Sequence, residues 1–105
     1  MDVVPALDMF GRKLQPGDFI AYALTIDRSA KMAVYRVDEL VPTRQYGTYK
    51  MPGDKDWRRG EHHLVKVKAT QLAVSYSSLN TKQVTLAMTN ERAVRLDDSK
   101  GPWVR

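Results

Sequence analysis

A chain of 105 residues is sized for one domain, because two cores in so short a chain would each bury too little apolar surface to offset the entropy of ordering. Its 43% hydrophobic and 28% charged residues speak against both disorder and membrane insertion, and the absence of cysteine removes disulfide frameworks and thiolate metal sites. Seventeen Lys and Arg against twelve Asp and Glu leave a net charge of +5, which favours a polyanionic partner through counterion release.

Turn chemistry recurs about every ten residues, the spacing of an all-β sandwich or barrel. Met1 to Pro5 has neither the basic start nor the apolar stretch of a signal peptide, so the cytoplasm is the expected location. Ala6 to Met9 reads as a short strand and Phe10 to Lys13 as a turn in which Gly11 supplies a positive φ. Pro16-Gly17 then makes a sharp corner before a strand from Asp18 to Ile26, with Ile20, Tyr22, Leu24 and Ile26 on one apolar face. Asp27 to Ala30 reads as a connection, and Lys31 to Val41 as the return strand, with Ala33, Tyr35 and Val37 inward.

Between Pro42 and His62 apolar periodicity disappears for about twenty residues, long for a structureless connection and therefore expected to be functional or mobile. This expected loop holds Arg44, Tyr46, Tyr49, Lys50, Lys55, Trp57, Arg58 and Arg59, with Gly47, Pro52, Gly53 and Gly60 to bend it. Alternation resumes from His63 to Ala69, where Val65 and Val67 face in while Lys66 and Lys68 face out. Leu72, Val74 and Tyr76 form a further period-two set, as do Val84, Leu86 and Met88 after a polar break. Thr89 to Arg92 reads as one helical turn capped by Thr89 or Asn90, followed by a last strand from Ala93 to Leu96 and an extended tail over 97–105. The predicted architecture is a small curled barrel of five to seven short antiparallel strands with one long loop inserted.

The run from Asp8 through Gly11, Arg12, Leu14, Gly17, Asp18 and Ile20 to Tyr22, of the form D-x-x-G-R/K-x-L-x-x-G-D-x-I/V-x-Y/F, resembles the opening of many small bacteriophage proteins. Val84-Thr85-Leu86, then Asn90-Glu91-Arg92 and Val94, is similar to their C-terminal part. The resemblance covers both ends and leaves the centre unmatched. It implies an SH3-like or KOW-like barrel and carries no catalytic residues with it.

Catalytic chemistry finds no foothold: there is no cysteine, no serine in an elbow-like context, and no phosphate-binding glycine pattern. His62 and His63, next to Glu61, are the only residues that suggest metal, yet neighbours on a strand point to opposite faces, so no metal or other cofactor is assigned. The basic and aromatic centre is the stronger candidate for binding. Arg44, Lys50, Arg58, Arg59, Lys66 and Lys68 would neutralise phosphates while Tyr46, Tyr49 and Trp57 stack on bases, giving a phage-type accessory protein that binds nucleic acid. The same mixture suits a protein hot spot that inhibits or redirects a host enzyme or defence complex, and a virion or assembly component is a third reading. Against all three stands the alternative that Trp57, Tyr46 and Tyr49 fold back to complete a small core. Trp103 in the tail poses the same choice between its own barrel and a neighbouring copy, the latter giving a homo-oligomer.

Overall fold

The computed structural model describes residues 1–26, 29–74 and 82–96. It contains strands β1 (Val3–Val4), β2 (Phe19–Ile26), β3 (Ser29–Tyr49), β4 (Arg58–Val74), β5 (Gln83–Leu86) and β6 (Ala93–Leu96), with a single helical turn α1 (Thr89–Arg92) before β6. These strands form one mixed six-stranded sheet in the order β1-β4-β3-β2-β6, with β5 also paired to β4. The chain is therefore mostly β, as its turn spacing predicts. Three expectations are corrected. Among the described residues strand pairing does not close the sheet into a barrel; β1 pairs with β4 in parallel; and β3 and β4 are long, at 21 and 17 residues.

The largest correction concerns the stretch from Pro42 to His62, which is the distal part of a β-hairpin and not a loop. Pro42 pairs with Val65, Arg44 with His63, Tyr46 with Glu61 and Tyr49 with Arg58. Only the turn between Tyr49 and Arg58 lies outside the two strands. The predicted strands at 63–69 and 72–76 are likewise one strand as far as Val74, interrupted by a bulge. Val34 pairs with Ala73 but Tyr35 with Gln71, so Leu72 is the additional residue, and it is Gln71 that faces the core. A second irregularity leaves Asp38 unpaired on β3, where its carboxylate accepts from Arg36, Thr70 and Gln83 and ties the bend to β4 and β5.

The core gathers where the hairpin root meets β2 and β6. Ile20, Tyr22, Ala33, Tyr35, Val37, Val67, Ala69, Leu86 and Ala93 are buried there, with Ala6 and Leu14 from the N-terminal segment. Ile20 and Tyr22 of the set expected on β2 and the set expected on the first part of β3 are thus in place, with Leu24 partly buried against them, while the side chain of Ile26 lies outside those described. Tyr22 and Tyr35 meet edge to face at 5.8 Å between centroids. Both hydroxyls find partners, Tyr22 donating to the Ala87 carbonyl at 2.7 Å and Tyr35 accepting from Gln71 at 3.1 Å. The α1 turn is not capped by Thr89 or Asn90. Met88 occupies the N-cap in a left-handed conformation at φ 54, with no side-chain cap.

The predicted turn after Met9 is held by Asp8, whose side chain is fully buried. Its Oδ1 accepts from the amides of Phe10 and Arg12, and its Oδ2 from the Arg12 guanidinium and the Arg95 amide. Burial pushes this carboxyl up, but the hydrogen bonds from Arg95, Arg12 and Phe10 outweigh it and hold the group below its ordinary value of 3.8. The folded protein thus binds this proton less readily than the unfolded chain. The resulting stability is present above about pH 4 and is lost as pH falls through the folded-state pKa. Asp8→Asn keeps one acceptor but sets an amide N–H₂ against N–H donors. Urea denaturation should show it less stable at pH 7 by about 3 kcal/mol, with a shallower acid dependence than the parent between pH 5 and pH 2.

Candidate nucleic-acid interface

The hairpin arm is closed by Met51-Pro52-Gly53-Asp54. Proline presets the first corner, Gly53 takes φ 87 at the second, and the Asp54 amide donates to the Met51 carbonyl at 3.0 Å, as in a type II turn. The Asp54 carboxylate returns a bond to the Met51 amide and pairs with Arg58 at 2.8 Å. Asp2 clamps the arm from the N-terminal side. It accepts from the Tyr49 hydroxyl at 2.7 Å and from Arg58 at 3.0 Å, while its carbonyl accepts from the His63 amide. The Tyr49 bond chiefly, with help from Arg58 and against burial, holds the Asp2 carboxyl below its usual range, and the same bond raises the Tyr49 phenol.

Alternation along β4 sorts the arm's residues between two faces. Arg44, Tyr46 and Thr48 on β3 share a face with His63, Glu61 and Arg59 on β4. Tyr49 and Gln45 share the other with Arg58 and His62, and Lys66 and Lys68 follow on that same alternation. This second face is covered at His62, which is 1% exposed beneath Tyr49, whose ring stacks on the imidazole at 4.1 Å between centroids. With Nδ1 donating to the Gly60 carbonyl, Nε2 accepts from the Gln45 amide. The adjacent imidazoles thus sit on opposite faces of the ribbon.

The residues expected to bind nucleic acid are brought onto one arm but are not equivalent there. Arg44 is engaged by Glu61 at 2.6 Å, Arg58 by Asp2 and Asp54, and Tyr49 by Asp2 and His62, so these three shape the arm. Tyr46 and Trp57 are 68% and 67% exposed, which overturns the alternative that they complete a core. Arg59 and Lys55 make no ion pair among the described residues, and Lys50 places its ammonium over the Trp57 ring at 4.8 Å. Lys66 and Lys68 stand nearer the hairpin root, Lys68 directly opposite Glu39. Asp2 gave no sign in the sequence, because nothing local marks a partner 47 residues away. Trp103 and the 97–105 tail lie outside the described residues.

Comparison with protein-family models, with curated proteins and with solved structures finds no match. Every site assignment therefore stands on the geometry of this chain. One element of that geometry is directly testable. Gly47 and Gly60 face each other across the ribbon at φ 156 and φ 151, in the region that glycine favours, and an added Cβ at either would meet no atom within 4 Å. The cost of Gly47→Ala is then backbone strain alone, about 1–3 kcal/mol in urea denaturation, and changes in Tyr49 and His62 NMR shifts should accompany it.

Proposed function

We propose that this chain is a non-enzymatic, phage-type accessory protein whose hairpin arm binds nucleic acid. The observation that carries this reading is the pair of exposed aromatic rings, Tyr46 and Trp57, on an arm where Arg59 and Lys55 form no ion pair among the described residues. Planar rings give stacking surface for bases, and the cations give phosphate contacts that lose their counterions on binding. A two-stranded ribbon also has the width to enter a duplex groove. Lys50 and Lys66 extend the cationic surface, while Arg44 and Arg58, already held by carboxylates, contribute mainly by stiffening the arm.

The SH3-like assignment belongs to the same proposal. It is supported by the meander β2-β3-β4-β5, the single helical turn after it, and the return of β6 to pair with β2. In such folds the barrel is scaffold and the loops between strands vary in length. Here the hairpin joining β3 and β4 is the extended one.

Fluorescence anisotropy with short single-stranded and duplex DNA and RNA tests the binding claim. Affinity should fall steeply as salt rises, with a log–log slope of roughly −2 to −4 for three to five phosphate contacts. Trp57→Ala and Tyr46→Ala should each weaken binding by about tenfold or more, as stacking worth about 1–3 kcal/mol implies, with urea midpoints unchanged. No affinity for any of these probes at low salt refutes the proposal. A host protein that survives nuclease and high-salt washes, and is lost with Trp57→Ala, would instead identify a protein-interaction module.

A further inference from the structure

The outer edge of β4 is shared by two short strands that do not meet. β1 covers it at His63 and Leu64, running parallel, and β5 covers it from Val67 to Thr70, running antiparallel. Both leave the edge at the same place, so Val65 and Lys66 stand in a gap between them. A cavity of about 470 Å³ opens there. Its floor is the β4 segment from Leu64 to Val67, and its walls are the chain leaving β1, the chain leaving β5 through Met88 into α1, and the arm's turn at Lys50 to Pro52.

The chemistry of this cavity is one-sided. Apolar side chains such as Leu64, Met51 and Leu86 dominate it, no acidic residue lines it, and two lysines, Lys50 and Lys66, do. Neither ammonium forms an ion pair among the described residues. Met88, in its wall, is the one described non-glycine residue with positive φ, a strained backbone for a long side chain and of the kind that accumulates at ligand clamps. The volume lies within the range of sites for a single small ligand.

We propose that this gap is a binding site for a small amphipathic carboxylate, its acyl chain lying on the apolar floor and its charge held between Lys50 and Lys66. Lys50 already touches Trp57, so occupation draws its ammonium from the indole and changes the indole's emission. The site shares Lys50 and Lys66 with the cationic surface of the arm, but its test uses no nucleic acid, so either proposal can fail without the other.

Titration of Trp103→Phe protein, in which Trp57 is the sole indole, with decanoate, decan-1-ol and decylamine provides the test. Decanoate should produce a saturable change in emission and raise the melting temperature, at a concentration at least tenfold lower than decanol, while decylamine gives neither. Replacing both lysines (Lys50→Gln with Lys66→Gln) should remove the preference for decanoate, read by melting temperature, yet keep the weak binding of decanol. Ala87→Phe, a bulky substitution at an exposed side chain of the wall that leaves Trp57 the sole indole, should abolish both. Equal binding of decanoate and decanol, a preference that survives the double lysine replacement, or no saturable response to decanoate at millimolar concentration overturns the proposal.

Discussion

The buried carboxylate of Asp8 is the constraint on which this architecture turns. Among the described residues strand pairing leaves β6 with β2 as its only partner and β1 at the far end of the sheet, so no ladder joins these two strands there. What lies between them is an irregular segment. It leaves β1, doubles back through the Leu7–Lys13 bridge, and donates from the Met9 amide to the Ala93 carbonyl on β6. Irregular backbone at such a position must satisfy its polar groups individually: carbonyls take the amides of Asp8, Met9, Gly11 and Leu14, and the Asp8 carboxylate gathers those of Phe10 and Arg12 together with the Arg95 amide and the Arg12 guanidinium. Arg12 reciprocates by donating to the Arg95 carbonyl at 2.7 Å. One ion pair with its hydrogen bonds thus performs the task that a further strand would perform in a closed barrel.

The sequence is legible where burial writes a pattern into it. Ile20 and Tyr22 on β2, Ala33, Tyr35 and Val37 on β3, and the final strand at Ala93 follow directly from alternation of apolar residues. Alternation is a record of one dry face and one wet face, however, and the arm has no broad dry face. Thr43 to Tyr49 carries β-prone Thr and Tyr but almost no apolar contrast, so a strand there reads as a loop. The turn dipeptide Pro52-Gly53, lying between Gly47 and Gly60, is the available sign of a hairpin. Bulges hide a second kind of information: Leu72 sits in phase with Val74 in the sequence and out of phase with it in the sheet, which divides one strand into two on reading.

The candidate site was legible in composition and not in role. Charged and aromatic residues between Pro42 and His62 mark a candidate surface, but only the fold says which of them are already engaged. Arg58 answers two carboxylates, one local at Asp54 and one remote at Asp2, and Arg44 answers Glu61 across the ladder. The acidic residues scattered through this stretch therefore organise the basic ones, engaging some cations and leaving Arg59 and Lys55 without an ion pair among the described residues. Aromatic residues divide in the same manner, Tyr49 spent on His62 and Asp2, Tyr46 and Trp57 left to solvent.

The facing glycines at Gly47 and Gly60 have a mechanical consequence. A ribbon resists torsion chiefly through side chains wedged against one another across and along its two faces, and at this rung neither strand contributes one. Twist imposed on the tip by a curved surface can therefore be absorbed at a single rung, with the ladder on either side left whole. Below it, the Asp38 irregularity ties the root to Thr70 and Gln83. The arm is thus a lever with a rigid base and a compliant wrist, able to fit its exposed rings to a shape that the core does not have to share.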